Sequence, residues 1–372
     1  MTLLTTRHRA AGARFAGDGD EAPLLTFGDV PAEYAAGTDG CALFDASDRG
    51  ALRMGGDDRI DFCHRILSNT IHGLEPGQGN RQLLLSPKGK ILADFELVVL
   101  EEALCFSTLP GHVPALAQGL DMFLFADAVE LEDTSASSAP IELVGPRAAD
   151  VVARLTGIAT GDDALRSYHV AIGAFEGSTA VITRVPVAGS LGWRVDAGPD
   201  ALPALWDAAV AAGATPAGLV AHDCLRVEAV APLFGVDIDD QVYPQEARLE
   251  EAFALDKGCY IGQEVVAKID TYGGLNKCLV PLAISHDDPV ARGTKLIAHD
   301  PERDTERELG VVTSWAYSFV RDTGLVLAYV KRRHQAVGNE FRLGGADGTA
   351  TVVEAPVRPG ARALTGAFEA AS

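Results

Sequence analysis

The chain has 372 residues, more than one typical hydrophobic core holds, which predicts two or three domains. Hydrophobic residues make up 47% of it and charged residues 22%, a composition typical of a globular protein and not of a disordered one. The formal net charge of −21 disfavours partners such as nucleic acid or an anionic membrane, because binding to either depends on Lys and Arg side chains that neutralise phosphates.

The placement of the six cysteines predicts a reducing compartment and no stably bound metal. They occur at positions 41, 63, 105, 224, 259 and 278, without a C-x-x-C pair or a Cys/His cluster at zinc spacing, and they offer no four-cysteine cradle for an iron–sulfur cluster. No apolar run approaches the ~20 residues that span a bilayer, and the N-terminus lacks a secretory apolar core. We therefore expect a cytoplasmic protein, or a mitochondrial-matrix protein if the source is eukaryotic.

The first third of the chain alternates between helical and strand patterns and predicts an α+β region. Hydrophobic spacing and turn residues predict, in chain order, a helix at Ala32–Ala36, strands at Cys41–Asp45 and Gly50–Met54, a helix at Asp57–Leu67, three strands between Arg81 and Leu109, and a helix at Gly111–Phe125. On the middle one of the three strands, Asp94 lies on a mixed face beside Leu92 and Glu96. Such a carboxylate is either solvated or, beside a pocket, able to accept hydrogen bonds from an amine or to act as an acid or base.

A Ser-rich connection at Thr134–Ala139 marks the first predicted domain boundary. Beyond it we predict strands at Ile141–Val144, Tyr168–Phe175 and Thr179–Val187, and helices at Arg147–Leu155 and Leu202–Ala212. Short strands then predict an antiparallel barrel, at Leu279–Ile284, Thr294–Ala298, Leu309–Ala316, Val326–Val330 and Thr351–Val353. The predicted domains are 1–138, 139–276 and 277–372.

The segment from Leu255 to Lys277 contains the most distinctive string of the chain, LDKGCYIGQEVVAKIDTYGGLNK. Cys259 lies beside Lys257 and just before a predicted helix at Gly262–Lys268. The dipole of that helix and the lysine would both favour thiolate and lower the pKa of the cysteine. The alternative interpretation is a small buried residue next to a helix start.

The string K-G-C-Y-x-G-Q-E resembles the signature of the YgfZ family of folate-binding proteins, which is related to the glycine-cleavage T-protein, an aminomethyltransferase. Four further stretches are similar to T-protein motifs: GCALFDAS, PKGKILADFEL, VAGSLGWRVDA and GLVAHDCLRVEA. The resemblance implies an α+β fold with three domains arranged as a cloverleaf around a central folate funnel, the last domain being the antiparallel β-barrel. The signature residues are Lys257, Gly258, Cys259, Tyr260, Gly262, Gln263 and Glu264.

The same resemblance implies roles for individual residues. Cys259 would be the functional thiol, and Asp94 the carboxylate close to the reactive nitrogen of tetrahydrofolate. Arg226 is the candidate partner of a folate carboxylate or of the pterin carbonyl, because arginine stays charged and donates in a fork. In a helix Arg226 and Glu228 would point apart, whereas in an extended segment they would share a face. The remaining residues assigned to cofactor binding are Glu228, Arg81 and Trp193.

Three positions depart from the T-protein pattern. Arg81 stands where that family usually has a tyrosine that lines the folate pocket, and His222 takes the place of an arginine. Ser190 replaces the glutamate that contacts the pterin ring, and a serine cannot reproduce the paired hydrogen bonds of a carboxylate. These replacements count against ordinary T-protein chemistry.

The favoured function is that of a YgfZ-like protein that binds tetrahydrofolate, or a one-carbon derivative of it, and supports iron–sulfur cluster assembly or repair. Its partners would be folate and iron–sulfur client or assembly proteins, with no nucleic acid and no membrane. A tetrahydrofolate-dependent aminomethyltransferase or demethylase is the enzyme alternative, in which Asp94 would orient the attacking nitrogen. A scaffold that has lost folate binding is a second alternative. Whether the chain is an enzyme stays open at this point.

Overall fold

The computed structural model describes residues 3–19, 22–160, 165–300, 305–359 and 361. Its helices are α1 (Thr5–Ala10), α2 (Val30–Asp39), α3 (Arg59–Ile66), α4 (Val113–Asp121), α5 (Ala148–Thr156), α6 (Leu202–Ala211), α7 (Leu219–Glu228) and α8 (Gln263–Tyr272). Its strands are β1 (Arg14–Phe15), β2 (Leu24–Thr26), β3 (Ala42–Asp45), β4 (Gly50–Gly55), β5 (Gly79–Leu85), β6 (Ile91–Val99), β7 (Leu104–Thr108), β8 (Glu130–Asp133), β9 (Ile141–Val144), β10 (Val170–Phe175), β11 (Ser178–Val187), β12 (Ser190–Asp196), β13 (Thr215–Pro216), β14 (Lys277–Ile284), β15 (Lys295–Asp300), β16 (Thr305–Ser318), β17 (Thr323–Lys331), β18 (Glu340–Leu343) and β19 (Thr349–Val352). No helix in these described ranges is long and apolar enough to cross a membrane.

The first lobe is an antiparallel sheet with the strand order β5-β6-β7-β4-β8. Its apolar face packs on α3 and α4 through one buried cluster that includes Phe62, Leu97 and Leu116. Strands β5 and β6 form the predicted hairpin, in which Arg81 is opposite Glu96 and Leu83 is opposite Asp94. Arg81 and Asp94 are therefore diagonal neighbours on one face, within reach of each other's long side chains.

The second lobe is a six-stranded sheet with the order β10-β11-β12-β9-β3-β13. It takes β3 from the N-terminal region, and Leu43 pairs there with Leu143 of β9. The five-stranded lobe, which runs from β4 to β8, is thus inserted between two neighbouring strands of the second sheet. The predicted boundary between residues 138 and 139 does not separate the two sheets.

The third lobe is a closed antiparallel barrel with the order β14-β17-β16-β15-β18-β19. It begins at Lys277, and its interior is filled by a separate cluster that includes Val280, Leu296 and Phe341. The predicted C-terminal barrel is therefore confirmed. Sequence analysis did not predict β18, which closes the barrel between β15 and β19.

Helix α7 packs between α2 and the barrel, and it settles the conformation that the sequence left open. It contacts α2 on one side and the barrel strands β16 and β17 on the other. Because the segment is helical, Arg226 and Glu228 point in different directions. Glu228 is fully buried, where it accepts hydrogen bonds from Tyr34 Oη at 2.6 Å, Ser318 Oγ at 2.7 Å and the backbone N–H of Val320 at 3.1 Å. It connects α2 and α7 to the barrel.

Candidate functional site

A cavity of about 160 Å³ lies where the two sheet lobes meet α7. Its walls include parts of β5, β6, β7 and β9, the end of β11 with the turn after it, α7 and the loop 231–234. The barrel does not line it, but supports α7 from behind, since Arg226 Nη2 donates to Ser314 Oγ at 2.9 Å. Asp94, Arg81 and Arg226 all line this one cavity, so the structure brings three of the predicted site residues together.

The Asp94 carboxylate is held in a bidentate pair by Arg81. Arg81 Nε donates to Oδ1 at 2.8 Å and Nη2 donates to Oδ2 at 2.5 Å. Glu251 lies 3.8 Å from the same guanidinium and accepts a hydrogen bond from Tyr168 Oη. Burial alone would lower the pKa of Arg81, but the two carboxylates outweigh it and raise that pKa. Asp94 is thus placed at the cavity wall with a fixed orientation and with its charge compensated.

Arg226 is also committed to partners within the protein. Its Nε donates to Asp223 Oδ1 at 2.6 Å and its Nη1 donates to Asp237 Oδ2 at 2.9 Å. Asp237 is fully buried and also accepts hydrogen bonds from the hydroxyls of Thr313 and Ser314. The two carboxylates neutralise Arg226, so its predicted role as the partner of a folate carboxylate finds little support in its contacts.

A second group of charged side chains, which the sequence analysis missed, crosses the floor of the cavity. Arg194 Nε and Nη2 donate to Glu142 Oε1 at 3.0 and 2.7 Å, and both terminal nitrogens of Arg194 donate to the carboxylate of Glu96. Arg49 lies 3.6 Å from both carboxylates. Burial would raise the pKa of Glu142, but Arg194 and Arg49 outweigh it and hold that pKa below its usual range. Glu142 is therefore ionised at neutral pH.

His222 contributes a neutral imidazole to the same wall. Its Nδ1 is buried and makes no hydrogen bond with the described part of the chain, and its ring meets the edge of Phe44. Burial lowers the pKa of His222, against a smaller opposing effect of Asp223.

Two residues that were predicted to bind a cofactor, Trp193 and Glu228, do not line the cavity. Trp193 is buried at 1% exposure and its ring stacks under Arg184, with 4.3 Å from the guanidinium carbon to the ring centre. Glu228 is occupied in the core contacts described above. Ser190 accepts a hydrogen bond from Arg358 Nη2 at 2.8 Å.

The signature segment packs on the first lobe outside the cavity lining. Lys257 Nζ donates to the backbone carbonyls of His64 and Asn69 at 2.6 and 2.9 Å. Tyr260 is buried, and burial raises its pKa to about 12. Cys259 is exposed, which excludes the alternative of a buried thiol.

The contacts around Cys259 differ from those predicted to activate it. The residue before α8 is Gly262, so Cys259 lies three residues before the helix cap, and a helix dipole acts only within the first turn. The ammonium of Lys257 is bound to carbonyl oxygens. Glu264 and Lys268 form an ion pair at 2.6 Å, and Gln263 Nε2 donates to the carbonyl of Leu255.

Gly262 is required where it stands. Its φ of +80° is in the left-handed region, and a Cβ there would lie 2.6 Å from the carbonyl oxygen of Ser86. The close approach docks the signature segment on the β5–β6 hairpin. Within the described ranges, no group of three or more His, Cys, Asp or Glu side chains is placed to hold a metal ion.

The missed residues left weak signals in the sequence. Glu142 is a charged residue inside the apolar strand IELV, and Arg194 follows the tryptophan of GSLGWRV in a strand that reads as buried. A charge in a buried strand needs a partner of opposite sign, because isolated buried charges are costly. Glu142 and Arg194 are opposite each other on neighbouring strands of the second lobe, but they are 52 residues apart in the chain. Glu96, the other partner of Arg194, lies in the first lobe.

Comparison with known proteins gives matches over both halves of the chain. Residues 4–257 match the family model described as the GCVT N-terminal domain, and residues 277–357 match the glycine cleavage T-protein C-terminal barrel domain. The chain is 30% identical over 285 residues to an aminomethyltransferase of Chlorobaculum parvum, which covers 72% of this chain and 75% of that one. It is 30% identical over 365 residues to an aminomethyltransferase of Synechococcus elongatus, which covers 95% and 94%. The crystal structure of glycine cleavage system aminomethyltransferase T from Bartonella henselae superposes on this chain with a TM-score of 0.82. The superposition covers 96% of this chain and 97% of that chain, at 24% sequence identity, and it shows that the two proteins share a fold.

Proposed function

Because the chain belongs to the glycine cleavage T-protein family, we propose that it is a tetrahydrofolate-dependent aminomethyltransferase that binds the folate in its central cavity. The observation that carries the proposal is the Asp94–Arg81 pair, which fixes a carboxylate in the wall of a cavity formed where two lobes meet. The names of the relatives favour this function over iron–sulfur maintenance, which the signature string had placed first.

The residues of the cavity fit one end of a folate. At about 160 Å³ the cavity is smaller than the roughly 300 Å³ of a typical small-molecule pocket, so it would take a ring and leave the rest of the ligand outside. Its polar groups include an ionised carboxylate, Glu142, which can accept hydrogen bonds from ring N–H groups.

Tetrahydrofolate would supply a nitrogen nucleophile that accepts the one-carbon unit. Asp94 contributes position more than acid or base strength, because Arg81 occupies both of its oxygens from one side. The carboxylate can still accept a hydrogen bond from a ligand N–H on the cavity side. Holding that nitrogen at a fixed place lowers the entropic part of the barrier to its attack.

Thermal unfolding tests the binding step. Saturating tetrahydrofolate should raise the midpoint, since a ligand that prefers the folded state stabilises it. Equal midpoints with and without ligand would reject folate binding.

Release of ammonia from an aminomethylated lipoyl carrier protein tests the reaction. Asp94→Asn should abolish the folate-dependent release, whereas Glu132→Gln, a change of an exposed carboxylate in the same sheet, should leave it intact. Release that is independent of folate, or unchanged in Asp94→Asn, would refute the proposed reaction.

A YgfZ-like role in iron–sulfur maintenance is the second candidate, favoured by the exposure of Cys259 within the signature string. In a strain that lacks the protein, the wild-type chain would then restore the activity of iron–sulfur enzymes and Cys259→Ser would not. Restoration by Asp94→Asn as well would separate this role from one-carbon transfer. Full restoration by Cys259→Ser would exclude a role for the thiol.

A further inference from the structure

A second cavity, which we call the barrel cavity, lies between the loop 236–242 and the barrel strands β14, β16 and β17. At about 400 Å³ it exceeds the roughly 300 Å³ of a typical small-molecule pocket, whereas the central cavity is smaller than that. The two cavities share no lining residue in the described chain. Arg226 lines the central cavity and Asp237 lines the barrel cavity, and the ion pair between them, at 2.9 Å, separates the two. The barrel cavity is therefore a site of its own.

Three cations that line the barrel cavity lack an acidic partner. Lys277 Nζ lies 4.7 Å from the centre of the Tyr329 ring. Lys331 Nζ and Arg292 Nη1 donate to backbone carbonyl groups at 2.8 and 3.0 Å. None of the three forms a salt bridge with a residue of the described ranges. Their charges are therefore available to a ligand.

The carboxylates that line the barrel cavity do not compensate these cations. Asp237 is paired with Arg226, and the carboxylate of Glu308 lies 3.6 Å from Lys295 Nζ. Both of these partners lie outside the lining. The third carboxylate, Asp239, is exposed and accepts a hydrogen bond from a backbone N–H at 2.9 Å. The cavity thus carries an excess of positive charge within a chain whose net charge is −21, and an anion can bind there without breaking an ion pair.

The loop that forms one wall of the barrel cavity is tied down at both ends. Near its start, Asp237 accepts hydrogen bonds from the hydroxyls of Thr313 and Ser314 on β16. At its end, the backbone N–H of Ile91 donates to the carbonyl of Val242 at 3.1 Å. Because these contacts hold the wall without a ligand, binding orders little of the chain and loses little entropy.

The lining also has an apolar part. Five aliphatic side chains contribute to it, namely Val236, Val242, Leu309, Val311 and Val312. Lys277 is half-buried, whereas Arg292 and Lys331 are exposed. A ligand would therefore meet two cations at the mouth and one further inside, beside an apolar wall.

We infer that the barrel cavity is a second ligand site, which takes a small organic acid with an apolar body. The carboxylate or phosphate group of this acid binds to the ammonium of Lys277, while Arg292 and Lys331 add to the positive potential. The apolar body packs on the aliphatic side chains. The inference does not depend on folate binding, because the barrel cavity shares no wall residue with the central cavity.

Ligand-observed NMR titration at low ionic strength tests the site with three probes. Phenylacetate and phenyl phosphate carry the two kinds of acidic group on the same ring, and phenylacetamide is the neutral counterpart of the first. At least one acid should bind at least about tenfold more tightly than the amide, because the amide offers no charge to Lys277. The tighter of the two acids identifies the acidic group that the site prefers. Binding of neither acid, or equal affinity for the acids and the amide, would overturn the inference.

Two variants locate the bound acid. Lys277→Met should weaken it by at least about fivefold, and Arg292→Gln, a change in an exposed loop, serves as the second variant if Lys277→Met fails to fold. The control is Lys268→Met, a change of an exposed lysine on α8 that does not line the barrel cavity, and it should leave the affinity unchanged. Affinity that persists in both variants would refute the site.

Tetrahydrofolate provides the last comparison. At saturation it should leave the affinity for the acid unchanged, since it is expected in the other cavity. Displacement of the acid by tetrahydrofolate would make the barrel cavity part of the folate site and would refute a second site. A chain that binds the acid but no tetrahydrofolate would instead reject the proposed function and leave this inference standing.

Discussion

Replacing Arg226 by methionine tests whether this arginine is a structural cation or a ligand-binding one. The change keeps an unbranched apolar stem but removes the guanidinium, and so leaves Asp237, which is fully buried, without its cationic partner. Removing one member of a buried ion pair costs about 3–5 kcal/mol. Asp237 keeps three hydrogen bonds, from the backbone N–H of Leu233 and the hydroxyls of Thr313 and Ser314, so we expect the lower end of that range, about 3 kcal/mol.

The assay is denaturant unfolding at 25 °C, followed by tryptophan fluorescence and by circular dichroism. Arg226→Met should lower the free energy of unfolding by about 3 kcal/mol, and the double variant Arg226→Met with Asp237→Asn should recover most of the loss, because no buried charge is then left unpaired. A single variant that loses less than about 1 kcal/mol, or a double variant that is no more stable than the single one, would refute the structural role. A large loss of folate affinity with unchanged stability would instead restore the role that the sequence suggested.

Three further outcomes follow from the signature segment. Iodoacetamide should alkylate Cys259 well before the other cysteines, which are buried or partly buried. If the Cys259→Ser variant were alkylated at the same rate as the wild-type chain, this prediction would be wrong. Burial lowers the pKa of Lys257 from 10.5 to about 8, so between these pH values the unfolded chain binds this proton more tightly than the folded chain does. The free energy of unfolding of the wild-type chain, measured relative to Lys257→Met, should therefore rise as the pH increases from 8 to 10.5. Parallel curves of unfolding free energy against pH for the two chains would argue against this. Gly262→Ala should displace the signature segment from the β5–β6 hairpin, because the added Cβ would lie 2.6 Å from the carbonyl oxygen of Ser86. Limited proteolysis should then cleave the signature segment faster, and an unchanged rate would speak against the docking.

The barrel and the β5–β6 hairpin could be predicted because their pairings are local and their turns carry glycine. The hairpin register alone makes Arg81 and Asp94 diagonal neighbours, so the pair that fixes the carboxylate was accessible from the sequence. The membership of the six-stranded sheet was not, because β3 and β9 are adjacent in space while the whole first lobe lies between them in the chain. Non-local strand pairing leaves no local pattern.

The site was predicted less completely than the fold, for a physical reason. Arg226 lines the cavity, but the sequence could not reveal its two carboxylate partners, because one of them, Asp237, meets α7 only through the packing of a separate loop. Glu228 was assigned to the cofactor by the resemblance, while the helical or extended state of its segment stayed open. In a helix the two side chains diverge, and Glu228 points into the core. Partners from separate lobes, such as Glu96 with Arg194, are set by tertiary packing.

The balance of charge in the cavity restricts what kind of ligand it takes. The charged groups that line it are Arg49, Arg81 and Arg226 with Asp94, Glu96 and Glu142. Three cations and three anions cancel, although the chain as a whole carries a net charge of −21. A ligand is therefore not attracted by net charge at the wall, and recognition depends on matching individual donors and acceptors. A lone carboxylate or ammonium group would have to open one of the buried pairs, at a cost of several kcal/mol. A neutral ring with a carbonyl and N–H groups on one edge brings no charge that would compete for the members of these pairs, so it can bind while the pairs stay closed.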